Sequence, residues 1–149
     1  MTEATQSIEV DYELSDSPER VWRALTDPKL LSQWLMVNDI KPVVGHRFTF
    51  QATPIPGQWD GRVDCEVLAV EPHKLLSYSW KGGSDQLEGY GGKLDTVVTW
   101  TLRPSPKGGT LLHLSHSGFT AKNQYAFDNM GKGWRGPLDS RIRSVLDMS

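Results

Sequence analysis

Towards the C-terminus the apolar positions recur at helical spacing. From Asn129 to Ser149 they are Met130, Trp134, Leu138, Ile142, Val145 and Leu146, separated by steps of four, four, four, three and one. Such steps line the side chains along one side of a 3.6-residue helix, and Lys132, Arg135, Asp139, Arg141 and Arg143 fall mostly elsewhere. Pro137 lies inside the pattern, so a kink or restart is expected near Gly136. An amphipathic helix of this kind needs an apolar surface to lie on.

Most of the preceding chain has the period of strands. Ile8, Val10, Tyr12 and Leu14 alternate with Ser7, Glu9, Asp11 and Glu13, the mark of a half-buried strand. Ser17 as N-cap and Pro18 at the first helical position then open a short helix carrying Val21, Trp22 and Leu25. Asp27-Pro28 restarts a second one with Leu30, Leu31, Trp34 and Leu35. From Gly45 to Gln51 a strand puts Phe48 and Phe50 on one face. The loop 53–58, with two prolines and a glycine, cannot be regular structure.

Trp59 to Glu71 reads as a long strand whose alternation shifts: Val63, Cys65 and Val67 share one face, Leu68 and Val70 the other. A bulge, or a strand apolar on both faces, explains the shift equally well. After a turn at Glu71–Lys74, Leu76, Tyr78 and Trp80 alternate. Lys81 to Leu94 is glycine-rich and reads as a loop able to cover a pocket mouth. Thr96 to Arg103 is a strand with Val98, Trp100 and Leu102 on one face and threonines on the other. A hairpin loop at 104–109 joins it to Thr110–Ser117, which places Leu112, Leu114 and His116 opposite Leu111, His113 and Ser115. The order is β-α-α, five strands, then α. Short connections argue for an antiparallel sheet. The expected class is α+β: six antiparallel strands on a long C-terminal helix, with two short helices after the first strand, as one domain spanning residues 1–149.

Composition narrows the function classes. With 149 residues, 38% hydrophobic and 23% charged, the chain is an ordinary globular protein. A formal charge of −2 gives no electrostatic case for nucleic acid or an anionic membrane. One cysteine excludes an intramolecular disulfide. Met1 is followed by TEATQSIEVDYEL, which has neither a basic start nor an apolar stretch, so no signal peptide is expected. No apolar run approaches the roughly 18 residues of a membrane span. Membrane insertion is not expected, and the expected location is the cytoplasm.

The run Ser17-Pro18-Glu19-Arg20-Val21-Trp22-Arg23-Ala24-Leu25-Thr26-Asp27-Pro28, followed by Leu31 and Trp34, resembles the N-terminal signature of START-like (SRPBCC) proteins. Gly61-Arg62-Val63, Val67-Leu68-Ala69-Val70-Glu71-Pro72, Leu75 and Trp80 resemble the heat-shock-protein-90 ATPase activator homology branch of that superfamily. So do Gly109 through Phe119 and the closing Gly133-Trp134 with Leu138. The resemblance runs from Ile8 to Leu146 and marks a stand-alone, single-domain member. It implies a helix-grip fold with a cavity between the sheet and the terminal helix. START-like proteins bind lipids, sterols, polyketides or plant hormones, and some cyclise polyketides. The eukaryotic activator contacts its chaperone with the help of a second domain, which is not expected within these 149 residues. The cavity residues of the family form no fixed motif, so no catalytic role is carried over.

The residues themselves supply candidates. Trp34, Phe48, Phe50, Tyr78, Trp80, Trp100, Leu114, His116, Trp134 and Leu138 are the expected ligand-binding positions, since aromatic side chains offer large rigid apolar surfaces. Trp80, Trp100 and Trp134 lead as lining residues; Trp22 reads as structural and Trp59 as an entrance residue. The plain reading of most of these side chains is that they fill the core. His116 shares a strand face with Leu112 and Leu114, where it could orient a ligand or act as acid or base. A hydrogen-bonded buried histidine is the plainer account. His113 and His116, three apart on one strand, point to opposite faces and cannot form a zinc pair. Arg62, Asp64 and Glu66 read as a solvated ladder if Val63, Cys65 and Val67 face inward. Nothing beside Cys65 points to an activated thiolate.

No nucleophile elbow, phosphate loop or metal motif is found, so no catalytic residue, cofactor or metal is assigned. The leading expectation is a module binding a small hydrophobic ligand, aromatic, polyketide-like or lipid-like, and not an enzyme. The alternatives are a cyclase or hydrolase acting in the same cavity, and a stress-response protein with a heat-shock chaperone as partner. An enzyme requires inward-facing ionisable groups with perturbed pKa; a chaperone partner requires an exposed apolar patch.

Overall fold

The computed structural model describes residues 5–53, 61–82 and 94–148. β1 (Gln6–Leu14) keeps the sequence alternation, with Ile8, Tyr12 and Leu14 buried and the acidic residues between them exposed. In α1 (Pro18–Thr26) the Ser17 hydroxyl accepts the Arg20 N–H at 3.3 Å, and Val21, Trp22, Ala24 and Leu25 are buried. Asp27 both closes α1, donating its N–H to the Arg23 carbonyl at 2.9 Å, and opens α2 (Pro28–Trp34), accepting the Lys29 N–H at 2.9 Å. One residue therefore serves two helices.

The strands form a single antiparallel sheet. β2 (Val37–Asn38), β3 (Arg47–Gln51), β4 (Arg62–Glu71), β5 (Leu75–Gly82), β6 (Leu94–Pro104) and β7 (Thr110–Phe119) join β1 in the order β1-β7-β6-β5-β4-β3-β2. The sheet thus has seven strands, where the sequence pattern gave six. The extra one, β2, pairs only Val37 with Gln51 and Asn38 with Phe50, too short a stretch to show alternation. The alternation shift in β4 is a bulge: the β4–β5 register slips between Val67 and Ala69, and Leu68 is left exposed. Val63, Cys65 and Val67 face inward as one register required. Arg62 and Asp64 pair at 2.8 Å, and Arg47 and Glu66 at 3.4 Å across strands, on the exposed side. In β6, Thr99 and Thr101 face outward, but Thr96 shares parity with Val98 and lies buried on the inner face, so the threonines do not all point away.

The C-terminal helix is two helices. A 3-10 turn at Ala121–Asn123 leads into α3 (Gln124–Trp134), which begins ahead of Met130, the first residue of the apolar repeat, and α4 (Leu138–Met148) follows. The break at 135–137 falls where Pro137 was expected to force it: the Arg135 N–H reaches the Gly131 carbonyl at 3.0 Å, and proline offers no donor to continue. Trp134, Leu138, Ile142, Val145 and Leu146 are all buried, and Met130 packs against the core. α4 is tied to the first helix by Arg20, whose guanidinium donates to the Leu146 carbonyl at 2.7 Å. Trp59 and most of the glycine-rich stretch lie outside the described residues.

α3 carries Gly131 and Gly133 in its interior, and glycine in a helix is worse than alanine by about 1 kcal/mol. A Cβ on Gly131 would meet the Arg135 guanidinium at 2.7 Å, whereas one on Gly133 would meet nothing within 4 Å. Gly133→Ala is therefore expected to stabilise the protein by about 0.5–1 kcal/mol, or about 1–4 °C in Tm. Thermal unfolding followed by circular dichroism measures this; a lowered Tm would mean that the glycine serves packing after all.

Candidate functional site

Strand pairing brings the inward positions into one surface. Across β5 and β6, Leu76 lies opposite Trp100, Tyr78 opposite Val98 and Trp80 opposite Thr96. Across β6 and β7, Val98 lies opposite His116 and Trp100 opposite Leu114. β3 adds Phe48 and Phe50; α2 adds Trp34, α3 adds Trp134, and α4 begins with Leu138. All ten positions named from the sequence are buried. The rings touch in series: Phe48 to Tyr78 at 5.3 Å, Phe50 to Trp80 at 5.3 Å, Trp80 to Trp134 at 5.9 Å, Trp134 to Trp100 at 5.6 Å and Trp100 to Trp34 at 6.0 Å between centroids. Phe119 continues the series 4.6 Å from His116, and Phe127 lies 5.4 Å from Phe119. Most contacts are edge-on, the arrangement the ring quadrupole favours, worth about 0.5–1.5 kcal/mol each beyond area burial.

A directed run of hydrogen bonds crosses this surface. The Trp134 indole, which can only donate, gives its N–H to His116 Nδ1 at 3.1 Å. His116 Nδ1 is therefore the bare nitrogen, and the ring proton sits on Nε2, 2.8 Å from Thr96 Oγ1. The Thr96 hydroxyl in turn donates to the Trp80 carbonyl at 2.8 Å. Each member has one role. Tyr12 adds a second tether by donating its hydroxyl to the Trp134 carbonyl. Both nitrogens of His116 are committed to protein partners, which fits the plainer account of a satisfied buried histidine. Thr96, Tyr12 and Phe127 belong to this centre but were not among the positions named from the sequence; the parity of Thr96 with Val98 and Trp100 was the available signal.

The indole N–H groups differ in how they are satisfied. Trp34 donates to the Ala24 carbonyl at 2.8 Å, and Trp100 donates to the Tyr78 hydroxyl at 3.0 Å. The Trp80 indole nitrogen is buried without a partner among the described residues. An unmet buried donor costs about 1–3 kcal/mol. The Tyr78 hydroxyl accepts from Trp100, and its own proton has no acceptor among the described residues.

Burial drives four ionisable groups of this interior towards their uncharged forms. It pushes His116 down to about 3 and pushes the Tyr12, Tyr78 and Cys65 groups well above their usual ranges. None is poised near neutral pH for proton transfer. The outer face is different. His113 lies between Asp11 at 2.7 Å and Glu9 at 3.0 Å, and the bond to Asp11 raises its pKa. Burial pushes the Glu9 carboxyl up, but bonds from Ser115 and His113 outweigh it and leave its pKa lowered. His113 and His116 thus face opposite sides of the sheet. Among the described residues, no three His, Cys, Asp or Glu side chains are placed to hold a metal ion together, and no helix is long and apolar enough to cross a membrane.

A family model described as Activator of Hsp90 ATPase homolog 1-like protein matches residues 16–147. Among solved structures, MLL2253 from Mesorhizobium loti is 41% identical, with a TM-score of 0.83, and the match covers 97% of this chain and 98% of that one. BH1534 from Bacillus halodurans is 26% identical, with a TM-score of 0.73 and 98% and 99% coverage. DynU16, from the dynemicin biosynthetic locus, shares the fold at 23% identity and a TM-score of 0.72; 95% of this chain spans 47% of that one. No curated protein matches the chain.

The two histidines give opposite pH signatures. His116 is neutral in the fold and takes up a proton on unfolding, so its contribution is full above about pH 6.5 and declines as pH falls towards about 3. The slope is about 1.4 kcal/mol per pH unit for that one group. The contribution of His113 is present below its unfolded pKa and is lost as pH rises through its raised folded value. A long-range 1H–15N spectrum should show His116 with bare Nδ1 and protonated Nε2 from neutral pH to about pH 4. In urea unfolding, His116→Leu should flatten the fall in stability between about pH 6.5 and 4.5. An ordinary titration midpoint at His116 would contradict the hydrogen-bond run.

Proposed function

The chain belongs to the Activator of Hsp90 ATPase homolog 1-like family, and on that footing we propose that it binds a small hydrophobic molecule between the sheet and α3–α4. One observation carries the reading: the inner face is a continuous surface of aromatic rings, covered by a helix that its own glycines weaken. A flat ligand inserted there exchanges ring–ring contacts for ring–ligand contacts of the same kind, so the cost of parting the cover is largely offset. Tyr78, Trp80, Trp100 and Trp134 are the proposed stacking surface. His116 acts by holding Trp134, with no ligand bond of its own. The ligand is proposed to be aromatic or polyketide-like, ahead of a charged lipid, because the core of the described residues holds no lysine or arginine.

Catalysis in the same space is less well supported, since Tyr12, Cys65, Tyr78 and His116 are all held uncharged by burial. A protein partner such as a heat-shock chaperone is favoured by a separate observation. Val43 and Val44 are about 60% exposed, and their loop pairs with β4 beside the exposed Leu68: the Gly45 N–H donates to the Val67 carbonyl at 2.8 Å.

Amide NMR of labelled protein, titrated with flavonoids, polycyclic aromatic ketones, sterols and fatty acids, tests the binding reading. Saturable shifts converging on Trp80, Trp100, His116 and Trp134 are expected from the aromatic compounds. A well-dispersed spectrum that none of them moves would overturn the reading. Shifts confined to Val43–Gly45 and Leu68 on adding a chaperone would put the protein-partner reading in its place.

A further inference from the structure

Among the described residues, the indole N–H of Trp80 is left without an acceptor. Its ring lies on the inner face of β5, 5.3 Å from Phe50, 5.4 Å from His116 and 5.9 Å from Trp134. The neighbouring polar groups cannot take it up. The Trp80 carbonyl is engaged by Thr96, and Thr96 and both nitrogens of His116 are engaged in the run that ends on Trp134. Trp34, Trp100 and Trp134, in the same core, each have their acceptor. A donor held in this position among aromatic walls is matched by an oxygen that arrives with a ligand.

We propose that the Trp80 indole N–H is the polar anchor of the site, donating to a ketone, quinone, ester or ether oxygen on a flat, uncharged ligand. The inference rests on the binding reading above and names its substrate class. The charge follows from the surroundings. Among the described residues the core holds no lysine or arginine, and both nitrogens of His116 have partners, so a carboxylate or phosphate would enter with no counter-charge. A neutral carbonyl meets the single donor without that penalty. The Tyr78 hydroxyl, two residues along the same face, is placed to meet a second oxygen on a larger ligand.

The test uses 9-fluorenone and fluorene, which share a skeleton and differ by the ketone, with fluorene-9-carboxylate as the charged comparison. On wild-type protein, 9-fluorenone should move the Trp80 indole N–H resonance downfield and bind about three- to tenfold more tightly than fluorene, the range of one neutral hydrogen bond. Trp80→Phe identifies the resonance by its loss; it should weaken both ligands through the smaller stacking ring and bring their affinities together, abolishing the preference for the ketone. The wild-type resonance is itself a readout should that variant fold poorly. Equal binding of ketone and hydrocarbon, with an unmoved indole resonance, would overturn the anchor and leave hydrophobic binding standing. Tightest binding of the carboxylate would overturn the uncharged class. Binding of none of the three up to their solubility would remove the binding reading for flat aromatics and the anchor with it.

Discussion

The run from the Trp134 indole through His116 and Thr96 to the Trp80 carbonyl ties the C-terminal helices to the sheet. It has only one direction, because an indole N–H cannot accept, and that fixes the His116 tautomer and the Thr96 hydroxyl in turn. Tyr12, on the same inner face of the edge strand β1, holds the Trp134 backbone as well. With the end of α3 pinned, the break at 135–137 turns the chain into α4, whose last turn is tied to α1 through Arg20 and the Leu146 carbonyl. Arg143 adds a bond to Ser15 at 2.7 Å. Four apolar residues of α4 are then buried in the same core as α1 and α2.

The same constraint divides the molecule electrically. Inside, burial favours the uncharged forms of Tyr12, Cys65, Tyr78 and His116, and among the described residues most buried polar atoms are spent on one another, with the Trp80 indole N–H left over in the aromatic centre. Outside, charged side chains pair in the open: Arg62 with Asp64, Arg47 with Glu66, and His113 with Asp11 and Glu9. Such exposed pairs add little stability and keep the outer face hydrated. The interior is therefore suited to shape, stacking and one directional hydrogen bond more than to proton transfer.

Much of the architecture was legible because the relevant periods are long. The stripe from Met130 to Leu146 gave the terminal helical face, Pro137 gave its break, and alternation gave β1 and β5 with the right faces inward. What escaped was short or relational. β2 has two residues and no period to read. The β4 bulge left two registers open until pairing with β5 selected one. All ten candidate positions came together in the core, but a sequence could not say that His116 would be consumed by Trp134 and Thr96 while the Trp80 donor would find no acceptor among the described residues. Those facts depend on side-chain partners brought from strands and helices far apart in the chain.

The central claim is that the ring surface between sheet and α3 is where a small hydrophobic molecule goes. Intermolecular nuclear Overhauser contacts in a sample saturated with an aromatic ketone test it most directly. The account predicts contacts from the ligand protons to the ring protons of Phe50, Trp80 and Trp134. Contacts confined to the exposed loop around Val43 and Val44, or to the outer face of the sheet, would contradict it.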